Sequence, residues 1–315
     1  GHGIGLEFAL AGYPVVFHDV DDATLRKALE RVERDLRAMS EWGLLKASQI
    51  GPTLGRIQTT KVLEEAGREA DLVIEAIFED LLLKQEVFRR LDAVCPEHTI
   101  LASNTSSLIP SMLASATSRP HQVLVAHYFY PPFLMPLVEI VPSQSTSDQV
   151  VAVVSGLLRG MGKKPIVVQR EALGFIVNRL QVALFREALN IVERGIATAQ
   201  DVDAAVTSSF GRRLAVVGPL QLLEHQDGWE QALAIDQYIV PDLSNRTGPS
   251  PLVLEKIERG ELGSRTGQGF YEWTTGSTEA FTRRLEEALA DFLRADREGD
   301  LTTAVDGRRS SDEDV

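Results

Sequence analysis

Cysteine is nearly absent from this chain. Its 315 residues hold one, Cys95, which excludes an intrachain disulfide and any zinc site built from several cysteines. A single cysteine fits a reducing compartment, so a cytoplasmic location is expected and no metal site is. Long apolar runs are missing too. None approaches the roughly 18 residues of a membrane span, and no basic leader precedes an apolar stretch, so neither a membrane partner nor a signal peptide is expected. Basic side chains are in deficit: 32 Lys and Arg stand against 45 Asp and Glu, a net charge of −13. That balance argues against sequence-independent binding of nucleic acid, which needs a basic face. There is no internal repeat. There is also no Gly-x-Ser-x-Gly elbow, which counts against a serine hydrolase built on Ser106 and His127.

What is present is ordinary for a globular chain, with 44% apolar and 24% charged residues and length for about two domains. Residues 3–11 predict a helix ended by Gly12 and Pro14, and 13–19 a short strand ending in Asp19. Asp21 and Asp22 predict the cap of a long helix whose apolar stripe is Leu25, Leu29, Val32, Leu36 and Met39. Short strands and helices then alternate. Strands are expected at 56–60, 71–77, 99–104, 123–127, 137–142 and 164–169, with helices at 61–69, 80–92, 109–115 and 148–161. This rhythm marks an α/β fold, a Rossmann-type doubly wound, mostly parallel sheet. After Glu171 the pattern changes. Residues 175–194 form one long helix, Thr198 and Asp201 predict a capping box, and no strand follows. The expected organisation is a Rossmann domain at 1–170, an all-α substrate and dimerisation domain at 171–302, and a polar, disordered tail at 303–315.

Two constellations carry chemistry. At the front, Gly1, Gly3 and Gly5 open a helix, and Asp19 closes the following strand within about 20 residues. This is the second half of a dinucleotide-binding unit. Glycines let the backbone approach a pyrophosphate at a helix N-terminus, and the acid bonds the ribose hydroxyls and disfavours a 2′-phosphate, which favours NAD. Gly1 is read as the last glycine of a fingerprint whose first half, with the first strand, is missing from this chain. The other reading of these residues is a glycine-rich helix start with a solvated Asp19. In the middle, His127 ends one apolar strand and Glu139 lies in the next, with a turn rich in proline and aromatics between them. Adjacent strands can set a carboxylate against an imidazole, holding its tautomer for proton transfer. Alone, such a histidine also reads as a core residue bonded to a backbone carbonyl.

Six segments together carry a resemblance: ALAGYPVVFHDV at 9–20, ADLVIEAIFEDLLLKQEVFRRLD at 70–92, ILASNTSSL at 100–108, AHYFYPP with PLVEIV at 126–141, GFIVNRL at 174–180 and GQGFYEW at 267–273. In this order and spacing the chain resembles the NAD-dependent L-3-hydroxyacyl-CoA dehydrogenase family, including its L-gulonate 3-dehydrogenase/lambda-crystallin and carnitine dehydrogenase relatives. The resemblance implies that His127 is the catalytic base, Glu139 its orienting carboxylate, Ser106 the hydroxyl that bonds the substrate oxygen and Asn178 a substrate-binding amide. It implies that Gly1, Gly3, Asp19, Glu79, Lys84 and Asn104 line the NAD site, and that the protein is a homodimer. Outside that frame, Glu79 and Lys84 read as an exposed pair near a helix N-terminus, and Ser106 and Asn178 as turn and helix-start residues. The implied reaction interconverts a 3-hydroxy and a 3-keto group on a 3-hydroxyacyl-CoA. The alternatives are a small free 3-hydroxy acid as substrate, or a catalytically impaired NAD-fold protein. Where the family carries an asparagine three residues after the histidine, this chain has Tyr130. For a CoA phosphate only Lys46 and Lys61 are candidates.

Overall fold

The computed structural model describes residues 1–226 and 228–299. The expected tail at 303–315 lies outside the described residues. Two compact units are present. Unit 1 comprises Gly1–Arg179 and Glu286–Arg294, and unit 2 begins with Leu180–Leu285 and resumes at Ala295. The late segment of unit 1 is a difference from the sequence reading, which placed all of 171–302 in the second domain. Its reason is apolar: Ala290 and Leu293 join a buried cluster with Leu6, Val32, Leu36 and Met39.

Unit 1 runs α1 (His2–Leu10), β1 (Val15–His18), α2 (Asp22–Glu41), α3 (Ile50–Leu54), β2 (Ile57–Thr60), α4 (Leu63–Gly67), β3 (Leu72–Glu75), α5 (Leu81–Val94), β4 (Ile100–Ser103) and α6 (Pro110–Ala114). It continues with β5 (Val123–Tyr128), β6 (Leu137–Pro142), α7 (Asp148–Gly160) and β7 (Lys164–Val167), and closes on the start of α8 (Val177–Glu193). The Asp21 carboxylate accepts from the Ala23 and Thr24 N–H groups, so the predicted cap of α2 forms. The strands make two sheets, β1-β2 and β3-β4-β5-β6-β7. In the doubly wound order 3-2-1-4-5-6, β2 and β1 take positions 3 and 2, and β3, β4 and β5 take 4, 5 and 6. Position 1 is filled by no strand of the described residues.

All pairings are parallel except β5 with β6, which is antiparallel. The connection between them is too short for the crossover a parallel pair needs, which takes roughly a dozen residues or more. Side chains alternate across the larger sheet. Ile100, Ala102, Leu124, Ala126, Val138 and Ile140 face α1 and α7, where Ile4, Val150, Val154 and Leu158 meet them. On the other face Leu101 and Val123 meet Phe88, Leu91 and Leu113 from α5 and α6. A strand covered on both faces reads as an unbroken apolar run, which is why VLVAH and TILAS were legible as strands. Each such fully buried leucine or valine contributes about 1.5–3 kcal/mol. Helix α1 lies so close to β1 that a Cβ on Gly5 would fall 2.0 Å from the Phe17 ring. Only glycine fits there.

Unit 2 holds the rest of α8, then α9 (Ala199–Ser208), α10 (Phe210–Leu214), α11 (Pro219–Gln226), α12 (Gly228–Ile239), α13 (Pro251–Glu258) and parts of α14 (Thr275–Glu298). Among its described residues there are only isolated bridges at Gln268 and no strand. The Thr198 hydroxyl caps α9 by accepting from the Asp201 N–H, but it also donates to the Asp201 carboxylate, so the reciprocal half of the expected capping box is not made. The short aspartate side chain replaces the longer Glu or Gln of that motif. Among the described residues between Leu180 and Leu285 no apolar side chain is buried. No helix of the described residues is long and apolar enough to cross a membrane.

Candidate active site

The carboxyl ends of β3, β4 and β5 bring most of the singled-out residues together in unit 1. His127 sits one residue before the end of β5, directly opposite Glu139 in the antiparallel register with β6. Antiparallel partners project to the same face at close range, so strand pairing itself sets the imidazole against the carboxylate. His127 Nδ1 lies 2.8 Å from Glu139 Oε2, and both residues are buried, at 5% and 0% exposure. The other carboxylate oxygen, Oε1, accepts the N–H groups of Ile176 at 2.9 Å and Val177 at 3.0 Å. Burial works against the charged form of Glu139. The bonds from His127, Val177 and Ile176 outweigh it and hold the carboxyl below its ordinary range. An ionised carboxylate only accepts, so the proton of this bond is on Nδ1, and Nε2 is left free to take a proton.

The same chain of bonds reaches the other two residues. Asn178 follows the two donor amides, and its Nδ2 donates to the Ser106 carbonyl at 2.9 Å. The Ser106 hydroxyl has no partner among the described residues. Asn178 therefore bonds backbone, but of a distant segment rather than of its own helix start, and it fixes the loop that carries the Ser106 hydroxyl. Asn104 ties the same loop to β5: its Oδ1 accepts from the Tyr128 N–H at 2.8 Å. Tyr130 is 73% exposed.

A second network lies at the ends of β3 and β4. Lys84 and Glu79 do not form an exposed pair. Lys84 is 1% exposed, and its Nζ donates to Glu75 Oε1 at 2.7 Å and pairs with Glu79 Oε2 at 3.3 Å. Glu79 Oε1 accepts from the Thr105 hydroxyl, from Ser107 Oγ at 2.6 Å and from the Ser107 N–H at 3.1 Å. Burial pushes the Glu79 carboxyl up, but Ser107, Thr105 and Lys84 together hold it below its ordinary value. Sequence reasoning missed Glu75. Its Oε2 accepts from Ser103 Oγ at 2.6 Å, and the two residues are register partners at the ends of β3 and β4. The available signal was an acid closing the apolar run LVIE. It also missed Phe175, whose ring centroid lies 5.6 Å from that of His127.

The front glycines and Asp19 belong to the smaller sheet's neighbourhood. Gly1 precedes α1 with no side-chain cap, and Gly3 is packed so that a Cβ would meet Pro132 at 3.0 Å. Asp19 follows β1 and, among the described residues, accepts only from the Asp21 N–H, at 3.1 Å. These residues fit a dinucleotide: side-chain-free backbone opens a helix, and the Asp19 and Glu79 carboxylates are acceptors suited to ribose hydroxyls. Of the two lysines singled out for a CoA phosphate, Lys61 is paired with Asp22 at 2.8 Å and Lys46 is exposed.

Comparison with known proteins identifies the family. Residues 1–172 match the family model for the NAD binding domain of 3-hydroxyacyl-CoA dehydrogenase, and 174–273 match that for its C-terminal domain. The chain is 32% identical to a 5-formyl-3-hydroxy-2-methylpyridine 4-carboxylate 5-dehydrogenase of Mesorhizobium japonicum, over 93% of this chain and 94% of that one. It is 34% identical to a probable 3-hydroxybutyryl-CoA dehydrogenase of Bacillus subtilis, over 87% and 93%. Among solved structures, a 5-formyl-3-hydroxy-2-methylpyridine 4-carboxylic acid 5-dehydrogenase, described as an NAD+ dependent dismutase, matches with a TM-score of 0.87 at 31% identity, covering 95% of each chain. FadB2 of M. tuberculosis matches with a TM-score of 0.73 at 32% identity, covering 87% and 95%. With both domain models matched in order along its length, this chain belongs to the 3-hydroxyacyl-CoA dehydrogenase family of NAD-dependent oxidoreductases.

Proposed function

We propose that the chain interconverts a 3-hydroxy and a 3-keto group on a 3-hydroxyacyl-CoA, as in fatty acid metabolism, with His127 as the base. The observation that carries this reading is the buried His127–Glu139 pair, with Nε2 unengaged among the described residues. In oxidation, Nε2 takes the hydroxyl proton. The Ser106 hydroxyl donates to the substrate oxygen, and Asn178, which holds the Ser106 loop through Nδ2, would offer its amide oxygen to substrate. Glu139 stabilises the imidazolium that results. When bound, NAD supplies the carbon that accepts the hydride. Gly1 and Gly3 would lie against its pyrophosphate, and Asp19 and Glu79 would bond its ribose hydroxyls. Asn104 would steady the loop beside it. Lys84, whose ammonium is already held by Glu75 and Glu79, would serve by fixing Glu79.

Tyr130 favours a second reading. A bulky, exposed phenol stands where the CoA enzymes carry an asparagine, and the relative matched over 93% of this chain acts on a pyridine carboxylate. A small hydroxy or formyl carboxylate would then replace the thioester.

The test is NADH formation with 3-hydroxyacyl-CoA thioesters, free 3-hydroxy acids and formyl- or hydroxymethylpyridine carboxylates. On whichever substrate turns over, His127→Ala is expected to lower kcat by about 10²–10⁴. Unchanged kcat would sink the role of the base, and turnover confined to free carboxylates would replace the thioester reading by the second.

The protein would assemble as a homodimer through unit 2. In support, α8 exposes Leu180 at 59%, Val182 at 62% and Phe185 at 52%. A unit without buried apolar side chains of its own needs that surface covered. Buried Cys95 and the absence of other cysteines fit a cytoplasmic location.

A further inference from the structure

Phe175 is the one described non-glycine residue with a positive φ, at 49°. For a bulky aromatic residue this conformation is rare, since its Cβ crowds the neighbouring carbonyl. Such outliers persist where the surroundings over-determine them, and they cluster at functional sites. Three features surround this one. The residue before it, Gly174, also has a positive φ, of 73°. The two residues after it, Ile176 and Val177, both point their N–H groups at Glu139 Oε1. The Phe175 side chain is 2% exposed, packs with Val125, Val141 and Val168, and presents its ring at 62° to that of His127. Phe129 bears on His127 as well, with centroids 4.5 Å apart.

We propose that Phe175 is a positioning residue for the proton-transfer pair, acting through both backbone and ring. The proposal rests on the reading of His127 as the base. The left-handed turn at Gly174 and Phe175 reverses the chain so that two successive amides converge on one carboxylate oxygen. That occupies Oε1 and leaves Oε2 as the acceptor for His127 Nδ1, so the carboxylate cannot rotate to offer the wrong oxygen. The ring closes the apolar wall beside the imidazole and keeps water from competing for the Nδ1 proton. A generic helix start would satisfy its amides with a local cap and would need neither the strained backbone nor an aromatic ring.

Two variants isolate the part played by the ring. Phe175→Gly keeps the left-handed backbone at no steric cost and removes the ring. Phe175→Tyr keeps the ring. The readouts, on the full chain, are the ¹⁵N-edited NMR signal of the His127 Nδ1 proton without substrate, and kcat and KM for NAD on the substrate that turns over. In the unsubstituted protein and in Phe175→Tyr the Nδ1 proton is expected to be slow to exchange and visible. In Phe175→Gly it is expected to vanish into exchange, with kcat down about tenfold and KM for NAD unchanged, the pattern of a lost transition-state contribution. A circular dichroism melt shows whether Phe175→Gly is folded. If it is not, Phe175→Leu, which keeps apolar volume without the flat ring, is read in its place with the same expected outcome. A retained Nδ1 signal together with kcat within about twofold in the folded variant would overturn the proposal. His127→Ala separates the two readings: if it keeps full activity, the base assignment fails whatever Phe175 does. If it loses activity while Phe175→Gly is silent, only the present proposal fails.

Discussion

The two units solve the burial problem in opposite ways. Unit 1 wraps a sheet with helices on both faces and encloses four apolar clusters. The regular elements of unit 2 are all helices, and among its described residues from Leu180 to Leu285 only Ser250 is buried. Its internal order leans on polar links instead. Glu193 holds Arg246 at 2.6 Å and also accepts from the Ser250 hydroxyl, and Arg194 pairs with Asp242 at 2.9 Å. The candidate chemistry sits with the first solution. A proton-transfer pair needs neighbours that do not move, and close-packed side chains provide that stiffness. A unit that leaves its apolar faces open suits association.

Five substitutions can break or sharpen this contrast. The largest effect is expected from Lys84→Met. It strips the counterion from Glu75, which is 4% exposed, and unit 1 should lose about 3–5 kcal/mol in urea unfolding, as for other broken buried pairs. A loss no greater than that of a surface substitution would show that the pair is not sealed from water.

Next comes a matched pair of truncations. Leu124→Ala, at a fully buried position of β5, is expected to cost about 2–5 kcal/mol. Leu180→Ala, at 59% exposure, should cost under about 0.5 kcal/mol in protein diluted to a monomer. Phe185→Glu should lower the mass measured by light scattering. If Leu180→Ala is as costly as Leu124→Ala in the monomer, or the mass is insensitive to Phe185→Glu, unit 2 does not depend on a partner surface.

The smallest effect concerns acid. Hydrogen bonds from Arg246 and Ser250 depress the Glu193 carboxyl to about 2. A depressed folded-state value means that its stabilisation is complete above the ordinary carboxylate range and is lost as pH falls through that range toward about 2. Glu193→Gln should therefore flatten the acid decline of unit 2 stability over that window, followed by Trp229 and Trp273 fluorescence. An unchanged slope would remove this link from the account.

Much of unit 1 was legible because its signals are local. Asp21 before a stripe of apolar residues predicts a capped helix, and VLVAH predicts a strand covered on both faces. His127 and Glu139 were legible as a pair because two neighbouring strands joined by a short turn must align. The alternative reading of Glu79 and Lys84 as an exposed pair does not hold for Lys84, and the residues alone left it open because an exposed pair and a buried network share the same residue types and spacing. Nothing near KQEV says that a lysine is sealed under Glu75. Gly5 was passed over for Gly1 because its need arises from Phe17, in a different element. The strained Phe175 carries no composition signal at all.

The sequence by itself determined the alternation of strand and helix, the helical second half and the residues able to carry acid–base chemistry. These follow from periodicity, caps and residue chemistry, all read within a few positions of one another. Tertiary structure alone decided that β5 and β6 run antiparallel and that residues 286–294 return to unit 1. It alone decided that Glu75 completes the Lys84 network and that two backbone amides hold the second oxygen of Glu139. Each of these depends on which distant segments pack together. That choice is made by the free energy of the whole chain, in which no single local pattern dominates.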